Sequence, residues 1–263
     1  MEEPGTVYFT GTAGAGKTSL TRGFADWMRS AGYDVTLVNL DPGSESEVEG
    51  IDVDIREWVR LNEVEDEYGL GPNGAQVAAA DMIALKIFDV KQAVQELKAD
   101  YVLVDTPGQI ELFAFREASK AIVDALSGDR SVIAFLFDPS LGRTPGGFVS
   151  LAMLSATLEF RFRLPMVNVL SKSDALSPEQ LAEVLEWSDE PGRLYDAVTR
   201  DVPSPDVQLS TELFRAIESM GPLLGLVPTS AKEGTGLEAL YQACQRVFGG
   251  AEDLEPSHAP TND

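Results

Sequence analysis

The stretch Gly11-Thr12-Ala13-Gly14-Ala15-Gly16-Lys17-Thr18 matches G-x-x-x-x-G-K-[ST] and constrains this chain more than any other segment. The apolar run Val7-Tyr8-Phe9-Thr10 precedes it, and an amphipathic pattern from Lys17 to Ala31 follows. That order predicts strand, loop, helix. Gly11, Gly14 and Gly16 let successive backbone N–H groups, that of Ala15 among them, turn inward around phosphate oxygens. The helix start at Lys17, Thr18 and Ser19 adds the positive end of its dipole. The Lys17 ammonium is placed to reach terminal phosphates and the Thr18 hydroxyl to ligate Mg2+. The ligand is a nucleoside triphosphate, with the base still open.

The chain has 263 residues, enough for one large domain or two small ones. Its 43 acidic against 20 basic residues give a formal net charge of −23. Such a balance excludes broad, sequence-independent binding to nucleic acid, which needs Lys and Arg to neutralise phosphates. It also excludes adsorption to anionic lipid. Adaptation to high intracellular salt is one physical reading of this acidity, and an ordinary acidic cytoplasmic protein is the other. Cys244 and His258 are the single cysteine and histidine. No intrachain disulfide, cysteine-based metal cluster or histidine base is expected, and Cys244 reads as a core thiol on the helical pattern of Leu240 and Val247. No leader or membrane-length apolar run appears, so the chain is expected to be cytoplasmic.

Downstream, short continuous apolar runs alternate with helical patterns. Strands are predicted at 34–40, 100–104, 131–137, 165–170 and 225–228. Helices are predicted at 81–98, from about 112 to 125, and at 146–161, 178–198, 206–220 and 237–248. Residues 44–62 read as irregular, with one helical turn at 55–59, and 68–75 as turn. Strands that are apolar throughout are those of a parallel sheet covered on both faces. The expected fold is therefore α/β, a mostly parallel central sheet with helices on both sides. Residues 1–250 form a single domain with insertions at about 44–80 and 176–222, and the acidic tail 251–263 is expected to be disordered.

The chemistry sits at strand ends, where ligands bind in open α/β sheets. Asp105-Thr106-Pro107-Gly108-Gln109 follows the third strand. Asp105 can hold Mg2+, the Gly108 N–H can meet the γ-phosphate, and the Gln109 amide can orient an attacking water. Asp41 ends the second strand and is a second candidate for water or Mg2+. Asp54 is a third candidate for the water. Ser171-Lys172-Ser173-Asp174 and Ser230-Ala231-Lys232 follow the last two strands. The Asp174 carboxylate is an acceptor pair suited to guanine N1–H and its exocyclic amine, and the Lys172 stem can cover the ring. The first of these resembles the N-K-x-D box of GTPases, with Ser171 where asparagine is usual. The second is similar to their S-A-K box, in which the Ala231 N–H would donate to guanine O6.

Taken in order, these motifs resemble a P-loop GTPase, a P-loop NTPase fold, over nearly the whole chain. Gly71-Pro72-Asn73 resembles the signature of the GPN-loop GTPases, as do Asp105–Gln109, Asn39-Leu40-Asp41-Pro42 and Asp54-Ile55-Arg56-Glu57. The resemblance implies a Mg2+-dependent, GTP-hydrolysing homodimer whose Gly71-Pro72-Asn73 loop approaches the partner's nucleotide. It also implies a client protein whose assembly or maturation follows nucleotide state. In that reading Lys17, Asp41, Asn73 and Gln109 are the catalytic group, with Lys17 and Asn73 stabilising charge on the γ-phosphoryl oxygens. Two alternatives keep the fold. One is a deviant-Walker ATPase, a group that usually carries lysine where this chain has Thr12. The other is a nucleotide-binding scaffold with negligible turnover.

Overall fold

The computed structural model describes residues 3–44, 50–200 and 225–249. Within them, seven strands form one sheet in which every ladder is parallel, ordered β3-β2-β4-β1-β5-β6-β7. The strands are β1 (Gly5–Gly11), β2 (Val35–Asn39), β3 (Val53–Asp54), β4 (Tyr101–Asp105), β5 (Ser131–Phe137), β6 (Met166–Leu170) and β7 (Val227–Pro228). The helices are α1 (Lys17–Ser30), α2 (Leu61–Tyr68), α3 (Pro72–Leu97), α4 (Ile110–Phe115), α5 (Glu117–Leu126) and α6 (Pro139–Gly142). They continue with α7 (Pro145–Phe162), α8 (Pro178–Asp189), α9 (Pro191–Arg200) and α10 (Leu237–Val247).

Both faces of the sheet are dry, which is why its strands read as unbroken apolar runs. Along β5, Ile133, Phe135 and Phe137 enter one core with Tyr8, Ile83, Ile87 and Phe148. Val132, Ala134 and Leu136 enter the other with Phe9, Phe24, Leu103 and Leu240. The period of two thus sends alternate residues to two different helix layers. β1 lies between β4 and β5, so the chain crosses from one half of the sheet to the other beside the phosphate loop.

Trp187 is buried edge-on to Phe148, and Trp27 stacks on Phe24. Phe148, Leu151 and Leu158 of α7 are buried in the core. Cys244 is buried against the sheet, and burial pushes its thiol up to about 12. Alkylating reagents at neutral pH are therefore expected to label it only after unfolding, as mass spectrometry with and without denaturant would show. Fast labelling of the native protein would contradict this packing.

The structure corrects four boundaries. The turn expected at 68–75 is the junction of two helices: Gly69 closes α2 in the left-handed region, Gly71 caps α3, and Pro72 is its first residue. The helix expected from 81 therefore starts at Pro72, since proline's fixed φ and missing N–H suit a first turn. The segment 44–62, expected to be irregular apart from a helical turn at 55–59, has that turn as a 3-10 turn at Ile55–Glu57 but also contains β3, paired with Val38 and Asn39. The helix expected at 178–198 breaks at Glu190, because Pro191 has no N–H to continue it. The helix expected near 112–125 is two, divided at Arg116 by an extended backbone. The helix expected at 206–220 and the tail 251–263 lie outside the described residues. No helix among the described residues is long and apolar enough to cross a membrane.

Candidate functional site

All the strand-end segments singled out above lie along the carboxyl edge of the sheet, following β1, β2, β4, β6 and β7. In the phosphate loop, Gly14 and Gly16 have φ of 77° and 89°, a conformation that residues with a side chain rarely adopt. Gly16 then caps α1, which begins at Lys17. The Lys17 ammonium is buried and donates to the carbonyls of Gly11, Thr12 and Gly108, each at 3.0 Å. It thereby joins the loop after β1 to the loop after β4. Burial lowers its pKa, opposed by the charges of Asp105, Asp41 and Glu111. Thr18 and Ser19 are exposed on the first turn of α1.

Asp105 is 6% exposed, and burial raises its carboxyl to about 6 although the Thr18 hydroxyl hydrogen-bonds to it. Its Oδ1 is buried without a hydrogen-bond partner. A carboxylate oxygen left bare beside a threonine hydroxyl, with Asp41 adding negative field, suits Mg2+. That ion takes one or two carboxylates and completes its shell from phosphate and water. No cluster of three or more His, Cys, Asp or Glu side chains suited to a metal occurs among the described residues.

Asp41 stands across from this pair. Its Oδ1 accepts from the Gly43 N–H at 2.9 Å and its Oδ2 from the Gly108 N–H at 3.1 Å. The carboxylate thus occupies the amide that the sequence suggests for the γ-phosphate. Asn39 holds the loop from beneath: its Nδ2 donates to the Asp41 carbonyl at 3.2 Å and to Asp54 Oδ1 at 3.0 Å, and its Oδ1 accepts from Asp41 N–H. Both Asp54 oxygens are engaged by Arg56. Burial raises the Asp54 carboxyl, but the Arg56 and Asn39 hydrogen bonds outweigh it and hold the pKa below the usual range. Asp54 therefore braces the Asp41 loop and has little capacity left for water. Gln109, exposed at the start of α4, shares a cleft of about 100 Å³ with Asp41, Gly108, Gln76 and Ile83. Asn73 is exposed on the first turn of α3 and does not line that cleft.

The other end of the site is a cleft of about 280 Å³ lined by Gly16, Ser19, Ser171, Lys172, Asp174, Ala231 and Lys232, among others. Asp174 Oδ1 accepts from the Ser230 hydroxyl at 2.7 Å, and Lys232 Nζ lies 3.9 Å from Oδ2. The Ser230 oxygen also accepts from the Glu233 N–H at 3.1 Å. Ser171 is buried and its hydroxyl donates to the Phe137 carbonyl, so it ties β6 to β5. Lys172 crosses the phosphate loop, with its ammonium on the Gly14 carbonyl and 3.3 Å from Asp138 Oδ2. Asp138 at the end of β5 was not anticipated as a site residue; its Asp-Pro sequence reads as a strand stop, and only the fold shows its link to Lys172. Burial raises its pKa, but the Ser140 and Lys172 contacts outweigh that and lower it.

The chain was compared with known proteins. A family model described as "Conserved hypothetical ATP binding protein" matches residues 9–250. GPN-loop GTPase PAB0955 of Pyrococcus abyssi is 30% identical over 94% of this chain and 99% of its own. GPN-loop GTPase QQT2 of Arabidopsis thaliana is 30% identical over 89% of this chain. The chain spans only 62% of that relative's length, and 61% of GPN-loop GTPase 1 of Dictyostelium discoideum. The apo crystal structure of PAB0955, described as a GTPase, superposes with a TM-score of 0.82 at 28% identity, covering 93% of this chain and 97% of that one. With a model matched over most of its residues and a relative matched nearly end to end, the chain belongs to the GPN-loop GTPase family.

Proposed function

We propose that this protein binds GTP with Mg2+ and hydrolyses its β–γ phosphoanhydride bond, cycling as a homodimer in the cytoplasm while it assists assembly or maturation of a client protein. The observation that carries the guanine reading is the Asp174 carboxylate, held by Ser230 and open to a cleft that runs to Gly16. Asp174 would accept from the base, Ala231 N–H would donate to it, and the Lys172 stem would cover its face. Thr18 and Asp105 would hold Mg2+, with Asp41 within reach through water. The ion, when bound, neutralises charge on the β- and γ-phosphates. Lys17 neutralises the same oxygens, and Gln109 and Asp41 orient water. Little proton chemistry is needed, since positioning and electrostatics dominate phosphoryl transfer.

Homodimerisation is supported by Leu85 and Phe88, 81% and 76% exposed on the outer face of α3, the helix that starts with Pro72-Asn73. In the dimer, Asn73 of each chain would reach the other's γ-phosphate. Single-turnover hydrolysis by wild type, Gln109→Ala, Asn73→Ala and Lys17→Met tests this. Each variant alone is expected to be slow. Mixing Asn73→Ala with Lys17→Met restores activity if Asn73 acts across the dimer, because one shared site then has both groups. A mixture no faster than its parts would place Asn73 in its own subunit or nowhere. An ATPase reading has one observation behind it, the wording of the matched family model. Titration with GTP and ATP decides between them, and tighter ATP binding would overturn the guanine reading.

A further inference from the structure

Gln76 lies one turn after Asn73 on α3 and lines the cleft shared by Asp41, Gly108 and Gln109. Its Oε1 is shielded from solvent and has no hydrogen-bond partner. A buried amide oxygen without a partner is destabilising, because it has lost its hydrogen bond to water and gained none. Gln76 is half-buried, between the buried Ala75, Ala79 and Ala80 of its own helix and the cleft. Packing leaves its amide oxygen without a partner. The cleft of about 100 Å³ has room for ordered water, which needs about 10–15 Å³ and two to four polar partners. Asp41, Gln109 and Gln76 supply them, and the broad terminal torsion of a glutamine lets Oε1 turn into the cleft.

We infer that Gln76 is a further catalytic residue, whose Oε1 accepts a hydrogen bond from the attacking water and fixes its lone pair toward the γ-phosphorus. The inference rests on the GTPase reading and adds a residue to it. In the step, the water oxygen bonds to the γ-phosphorus as the bond from that phosphorus to the β–γ bridging oxygen breaks. The electron pair leaves on GDP, and the water proton ends on the released phosphate. Gln76 orients the water and takes no proton. Gln109 is exposed at the start of α4, whereas Gln76 is half-buried and approaches the same cleft from α3.

The test compares Gln76→Leu and Gln76→Met with wild type in single-turnover GTP hydrolysis, affinity for a non-hydrolysable GTP analogue, and thermal melting. Both variants lack the acceptor, and the unbranched methionine follows the glutamine's shape if leucine does not fit. The expected result is hydrolysis slowed about 100-fold, the scale of a misplaced reactant, with analogue affinity unchanged and melting temperature equal or higher. Hydrolysis at the wild-type rate by either folded variant overturns the inference. Loss of rate together with affinity and melting temperature also overturns it, because that is a structural role. If wild type itself hydrolyses GTP no faster than buffer, the GTPase reading fails and takes this one with it; an active wild type with equally active variants defeats Gln76 alone.

Discussion

Lys17→Met is expected to slow single-turnover GTP hydrolysis by about two to three orders of magnitude, the usual cost of removing one preorganised donor from a developing oxyanion. The ammonium is fixed between two loops by the carbonyls of Gly11, Thr12 and Gly108, which take all three of its N–H groups, so a phosphate oxygen must displace at least one of them. It is also the positive charge set among Asp105, Asp41 and Glu111. Its loss therefore leaves an anionic site to meet an anionic substrate, and nucleotide affinity should fall with the rate. Stability should change much less. The three carbonyls lose a donor, but a charge that burial already disfavours is also removed, and the two effects oppose each other. Circular dichroism and melting would confirm a folded variant. Hydrolysis within an order of magnitude of wild type would remove Lys17 from the chemistry.

Asp174→Ala is expected to weaken GTP binding by about 10²–10⁴-fold while leaving ATP binding where it was. Two hydrogen bonds from guanine to a carboxylate are worth about 1.5–3 kcal/mol each, and each 1.4 kcal/mol is about tenfold in affinity. The carboxylate is ready for them, since Ser230 fixes one oxygen at 2.7 Å and the side chain is only 14% exposed. The backbone beneath is fixed too: Ser173 N–H donates to Thr229, and Thr229 N–H to Leu170. Fluorescence titration with both nucleotides reads the outcome. Equal losses for GTP and ATP would mean that Asp174 holds the loop and does not read the base.

The parts of this molecule readable in its sequence are those built from contiguous residues. Every long strand is a local apolar run, and each candidate phosphate or base motif lies a few residues after one, so the segments along the sheet's carboxyl edge could be read from the sequence. Features that depend on pairing between distant segments could not. Val53-Asp54 is a strand only because Val38 and Asn39 lie beside it, and two residues carry no periodicity. Gly71-Pro72-Asn73 has turn composition, yet glycine and proline also start helices, and the amphipathic signal becomes clear only later in α3. The support of Asp41 by Asn39, Asp54 and Arg56 spans two strands. Lys172 with Asp138 likewise joins the ends of β6 and β5. Gln76 sits within an alanine-rich helical run, and no local pattern tells that it lines the same cleft as Gln109.

One contact at this edge has a consequence for how the site discriminates among anions. A backbone N–H donates to one strong acceptor at a time, and that of Gly108 is already given to Asp41. Any anion that takes it must evict a carboxylate, and must do so against like-charge repulsion. A ligand too short to reach Gly108 leaves Asp41 seated and the loops after β2 and β4 tied together. In the proposed GTPase cycle a longer one would untie them and free the Asp41 side chain. The length of the phosphate chain would thereby be translated into the position of a loop, with Asp41 as the ruler's end mark.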